Sequence, residues 1–114
     1  MKYRYLGDTD LKVSRLCFGS LTISSLQADL SVNEGADVIL AAMDMGVNFI
    51  DTAEFYRNYK YINRAIKRAK SELVISTKSY AYTYEGMKES VEKARRETGK
   101  DVIDIFMMHE QETR

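Results

Sequence analysis

Apolar positions along the chain change period several times, and each change marks an element. The opening YRYL and the continuation LKVS are β-prone runs separated by GDTD. Gly7, Asp8 and Asp10 supply turn chemistry there, so residues 1–15 predict a β-hairpin. A short apolar run over 16–19 ends in Gly19 and predicts the first buried strand. From Ser31 the spacing becomes helical. Ser31 and Glu34 form a capping-box pair, in which the hydroxyl accepts from the N3 amide and the carboxylate accepts from the N-cap amide. Ala36, Ile39, Leu40 and Met43 then fall on one face, and Gly46 ends the helix. Runs over 47–50, 73–77 and 102–108 read as further strands. The last is almost continuously apolar, as in a strand buried on both faces. Between them, 60–69 (Ile62, Ala65, Ile66, Ala69) and 83–98 (Met87, Ser90, Val91, Ala94) repeat the helical spacing. Gly99 closes the second of these, whose outer face offers Glu89/Lys93 and Glu92/Arg96 pairs at i,i+4.

A hairpin followed by alternating strand and helix is an α/β pattern with parallel strands joined by right-handed crossovers. Strand starts near 16, 47, 73 and 102 are about 31, 26 and 29 residues apart. That rhythm suits either a doubly wound sheet or part of a (β/α)8 barrel. Composition narrows the chemistry. With 17 basic and 17 acidic residues the net charge is zero, which gives no electrostatic reason to expect nucleic acid or a membrane surface as a partner. One Cys and one His exclude an internal disulfide framework and a zinc cluster, so no metal site is expected. Cys17 reads as a buried small hydrophobe. With no long apolar stretch and no apolar signal core at the start, a soluble, cytoplasmic protein is expected.

The residues that end the strands carry the chemistry. Asp51 follows the second strand, Lys78 the third, and His109 the fourth. The C-terminal ends of successive parallel strands form one rim, where neighbouring strands lie about 4.8 Å apart and barrels build their active sites. Tyr56 stands five residues after Asp51, close enough to fold back over that rim. Taken singly, Asp51 reads as a loop cap, Lys78 as a solvated charge and His109 as a structural histidine. Together they have a shared logic. A phenol, with an ordinary pKa of about 10, is a poor proton donor near neutrality. An adjacent ammonium favours the phenolate, a carboxylate keeps that ammonium charged, and an imidazole can hold a carbonyl oxygen beside the phenol. Tyr80, Tyr82 and Tyr84 alternate in YAYTY. They read as a half-buried loop leading into the third helix, with a substrate-loop platform as the alternative.

In order and spacing, YRYLGDTDLKVSRLCFGS, GVNFIDTAEFY, VISTKS and VIDIFMMHE resemble the aldo-keto reductases across the whole chain. The resemblance implies the N-terminal half of a (β/α)8 TIM barrel over 1–114, with the hairpin over 1–15 and the four barrel strands over 16–114. It makes Tyr56 the general acid, Lys78 and Asp51 the pair that tunes it, and His109 the group that orients the carbonyl. It also implies NADPH or NADH as cofactor, with Gly19, Ser20 and Asp51 near the nicotinamide end, and a small carbonyl substrate. No GxGxxG follows any strand, in keeping with a cofactor held without a Rossmann turn. TKSYAYT and MMHEQE further resemble a reductase-related branch whose iron–sulfur cysteines lie far downstream.

A complete barrel takes about 250 residues. The expectation is therefore four strands of eight: a truncated part of an NAD(P)H-dependent carbonyl reductase, close to inert by itself and with no firmly held cofactor. The alternative is a non-catalytic half-barrel that self-associates through its exposed edges or binds a partner.

Overall fold

The structure is a computed structural model and describes residues 1–112; the last two positions of the expected 1–114 domain lie outside the described residues. Strands β1 (Tyr3–Tyr5) and β2 (Lys12–Ser14) pair antiparallel, Arg4 opposite Val13, and form the expected hairpin. Four parallel strands follow in sequential order: β3 (Phe18–Gly19), β4 (Phe49–Asp51), β5 (Val74–Ser79) and β6 (Ile105–Met108). Helices α1 (Val32–Asp44), α2 (Tyr59–Arg68) and α3 (Tyr84–Thr98) make the three crossovers. This is half of a (β/α)8 barrel. Among the described residues no helix is long and apolar enough to cross a membrane.

The hairpin is fastened to the end of the sheet where the strands begin. Asn48, just before β4, accepts the Ser14 amide at 2.7 Å and donates to the Lys12 carbonyl at 2.9 Å, while the Tyr3 hydroxyl donates to the Gly46 carbonyl. The opposite end of the sheet is thereby left open, and there the strand termini meet.

Local chemistry accounts for the helix boundaries. The Ser31–Glu34 capping box is formed in both directions, at 3.2 and 3.0 Å. Thr83 caps α3 by accepting from the Gly86 amide, and Gly99 ends it in the left-handed region at φ 77°. Core residues Ala36, Ile39, Ile50, Ile62, Ala65, Ile75 and Ala94 lie between the helices and one face of the sheet. Two tyrosines that the helical spacing did not single out, Tyr59 and Tyr61, are also buried there. Their hydroxyls are satisfied by Thr77 (2.8 Å) and the Leu30 carbonyl (2.6 Å), and burial pushes the Tyr59 phenol up to about 12.

Four expectations are corrected. The first barrel strand pairs only over Phe18–Gly19, and both Leu16 and Cys17 are exposed rather than buried. The last strand begins at Ile105, three residues late, because the Asp104 carboxylate accepts the Ile75 amide at 2.9 Å and the preceding residues turn. Met107 and Met108 are exposed, since β6 has β5 as its one neighbour among the described residues. On α3, Lys93 lies 3.8 Å from Glu54 and Arg95 takes Glu92, in place of the two i,i+4 pairs.

Candidate active site

Strands β4 and β5 deliver the first two groups. Their register sets Asp51 opposite Ser76, and side chains alternate along a strand. Lys78, two residues beyond Ser76, therefore shares the face of Asp51, while Ile50 and Ile75 point into the helical core. The Lys78 ammonium donates to both Asp51 carboxylate oxygens, at 3.0 and 2.9 Å, and to the Thr52 carbonyl at 2.8 Å. The two carboxylate oxygens lie too close together to take separate protons, so one N–H is shared between them and a second goes to Thr52. The lysine side chain is 15% exposed, so its charge is largely withdrawn from water and paired.

Tyr56 closes the 3-10 turn Glu54–Tyr56, which Arg57 ends in the left-handed region at φ 54°. The Lys78 Nζ lies 5.3 Å from the centroid of the Tyr56 ring. At that distance the ammonium acts on the phenol through its field. His109 is 8% exposed, and its backbone amide donates to the Ser79 carbonyl at 2.8 Å, one residue after Lys78. Its ring stands edge-on to Tyr56, with centroids 6.2 Å apart and planes at 89°. Asp51, Tyr56, Lys78 and His109 are thus brought to one rim, as expected from the strand ends.

Tyr80 joins them. Its ring stacks on His109 at 4.0 Å and 15°, its hydroxyl donates to Glu110, and Phe55 meets it edge-on at 5.6 Å. The YAYTY segment is not a uniform half-buried loop: Tyr82 and Tyr84 are 86% and 77% exposed, while Tyr80 turns back to the rim. The His109 Nδ1 is buried with no hydrogen-bond partner among the described residues. A buried donor without an acceptor costs more than an unused lone pair, so the proton of the neutral ring belongs on Nε2.

Gly19 and Ser20 diverge. Gly19 pairs with Asp51 at the rim, is exposed, and has nothing within 4 Å of where a Cβ would stand. Ser20 is fully buried, and its hydroxyl and carbonyl both accept from the Asn58 amide, at 3.0 and 2.9 Å. The Asn58 carbonyl in turn accepts from the Thr52 hydroxyl at 2.6 Å. This buried amide ties the loops after β3 and β4 together beneath the rim. Sequence reasoning missed it, and named Tyr80 only as one of three loop tyrosines without its His109 partner; an Asn before a helix reads as an N-cap, yet this side chain makes no capping bond. Cys17 lies within the field of the site. Partial desolvation and then the Asp51 carboxylate push its thiol up to about 11, with Lys78 working in the opposite direction.

The model of the Aldo/keto reductase family matches residues 15–114. The chain belongs to the aldo/keto reductase family. It is 32% identical to a probable voltage-gated potassium channel subunit beta of Arabidopsis thaliana, covering 96% of this chain and 37% of that one. It is 28% identical to a glycerol 2-dehydrogenase (NADP(+)) of Saccharomyces cerevisiae, over 68% of this chain and 26% of the relative. Among solved structures, a putative aldo-keto reductase from Pseudomonas aeruginosa superposes with a TM-score of 0.83 at 27% identity, over 96% of this chain and 46% of the other. The chain therefore spans less than half the length of the family members it matches.

Proposed function

We propose that this chain carries the proton-transfer half of an NAD(P)H-dependent reductase site for aldehydes or ketones. The observation that carries the reading is the Asp51–Lys78 pair, bonded through both carboxylate oxygens, beside a phenol that His109 meets edge-on. His109, protonated at Nε2, donates to the carbonyl oxygen and orients it. Tyr56 gives its proton to that oxygen as negative charge develops there. The Lys78 ammonium stabilises the phenolate left behind, and Asp51 with the Thr52 carbonyl holds Lys78 in place. The phenolate recovers its proton from water.

A reduced nicotinamide, when bound, supplies the hydride that the carbonyl carbon receives. The rim fits its approach in one respect that this chain supplies: Gly19 leaves open space beside Asp51 where any side chain would intrude. Ser20 supports this edge through Asn58. The glycerol 2-dehydrogenase relative is named for NADP(+), which favours that cofactor.

The 114 residues assayed alone are expected to be close to inert, because orientation supplies much of the rate and a half-rim holds neither reactant firmly. Titration of the chain with NADPH and a small aldehyde tests this, and turnover comparable to a whole barrel would contradict it. A second reading, a non-catalytic half-barrel that self-associates, is favoured by β3 and β6 each having one neighbour among the described residues. Light scattering across concentration separates the two; a monomer throughout removes the second.

A further inference from the structure

Glu54 opens the turn that carries Tyr56, and its side chain does not point to solvent. The Ser79 hydroxyl donates to its Oε2 at 2.8 Å, and the Ser90 hydroxyl lies 3.2 Å from the same oxygen and 2.8 Å from Ser79 Oγ. Ser79 donates to Glu54 Oε2, and the Ser90 hydroxyl lies within donating distance of both Glu54 Oε2 and Ser79 Oγ. Ser79 Oγ also accepts from the Ala81 amide at 3.1 Å. Ser79 and Ser90 are 1% and 6% exposed, so Glu54 is the acceptor that completes a buried chain.

Ser79 is also a junction. It follows Lys78 on β5, and its carbonyl receives the His109 amide at 2.8 Å. The Glu54–Ser79 bond thus connects the Tyr56 turn to the strand of Lys78 and to the backbone of His109. Buried Ala53 and Asn58 flank the turn, Phe55 meets Tyr80 edge-on and Lys93 lies 3.8 Å from Glu54, but among the described residues the Glu54–Ser79 bond is the side-chain hydrogen bond from the turn to β5. We infer that Glu54 is a positioning residue, whose carboxylate pins the Tyr56 turn to β5 and so sets the phenol against Lys78 and His109. The inference deepens the reading of Tyr56 as proton donor and rests on it for its functional meaning.

Proton–proton contacts in the isotopically labelled full chain test it. The native chain is expected to show cross-peaks from the Tyr56 ring to the Lys78 side chain and the His109 ring. Glu54→Ala should lose both while the Ile50–Ile75 core contacts persist. Glu54→Gln should retain them, because its amide oxygen still accepts from Ser79. A folded Glu54→Ala chain that keeps both contacts overturns the inference, and so does a Glu54→Gln chain that loses them with the core intact. Should Glu54→Ala fail to fold, Ser79→Ala removes the donor instead and carries the same expectation. None of these signals requires turnover, so they stand or fall separately from the chemistry assigned to Tyr56.

Discussion

The Lys78 ammonium bonds both carboxylate oxygens of Asp51, at 3.0 and 2.9 Å, and so stands as a fixed charge 5.3 Å from the centroid of the Tyr56 ring. Lys78→Met should therefore leave the shape of the rim nearly unchanged while removing the charge that stabilises the phenolate. In a polypeptide carrying the complete barrel, the rate of carbonyl reduction should fall by about 10²-fold or more, with cofactor affinity little altered. Single-turnover kinetics reads both quantities. A loss confined to affinity would reassign Lys78 to binding.

Asn58 holds the floor of the rim. Asn58→Ala leaves the Thr52 hydroxyl without its acceptor and strips the Ser20 hydroxyl and carbonyl of the amide they share, all in buried surroundings. Each stranded group costs about 1–3 kcal/mol, so a total near ~3 kcal/mol is expected in urea unfolding of the chain. Asn58→Asp keeps the acceptor for Thr52 but turns carboxylate oxygen toward the Ser20 carbonyl, and should be worse. A change under ~1 kcal/mol for Asn58→Ala would remove the network from the stability account.

The frame of this fold was legible because its signals are local. The capping box at Ser31, the apolar face of Ala36 and Ile39, and Gly99 at a helix end each act within a turn or two. Strand ends were legible for the same reason, and with them Asp51, Lys78 and His109. What escaped depends on pairs distant in sequence. Asn58 meets Ser20 across 38 residues, and Tyr80 stacks on His109 across 29. Neither residue type announces such a partner. The apolar run before His109 misled because Asp104, within it, is drawn off to the Ile75 amide. Cys17 misled because the first barrel strand begins only at Phe18, so the thiol sits ahead of a two-residue edge strand with too little around it to be buried.

Cys17 gives a pH-dependent prediction. Its thiol is held at about 11 against an ordinary 9.0, so the native fold favours the neutral form. Stability from this source is complete below pH 9.0 and is lost as the pH rises through about 11. At pH 8 its thiolate fraction is about 100-fold below that of an ordinary thiol, and the stronger intrinsic nucleophilicity recovers roughly ten-fold. Iodoacetamide should thus label this exposed cysteine about ten-fold more slowly in the native chain than in urea. Asp51→Asn should speed native labelling by removing a charge that disfavours the thiolate. Equal native and unfolded rates would contradict the raised thiol, and an unchanged native rate in Asp51→Asn would remove Asp51 as a contributor.

At Gly35, α1 packs tightly on α2, and an added Cβ would meet the Tyr61 ring at 2.8 Å. Tyr61 is 4% exposed and bonded to the Leu30 carbonyl, so its ring has little freedom to retreat. Alanine gains about 1 kcal/mol of helix propensity against about 1–3 kcal/mol of overpacking. Gly35→Ala should destabilise the chain by roughly 1 kcal/mol. A stabilised variant in thermal unfolding would mean that the two helices can separate at no cost.

The role of Tyr56 is tested most directly by Tyr56→Phe in a polypeptide that carries this sequence within a complete barrel. The substitution removes one oxygen and keeps the ring against Lys78 and His109. Single-turnover oxidation of bound NADPH by a small aldehyde should slow by about 10²–10⁴-fold, with NADPH affinity unchanged. A native rate of turnover in Tyr56→Phe would contradict the account.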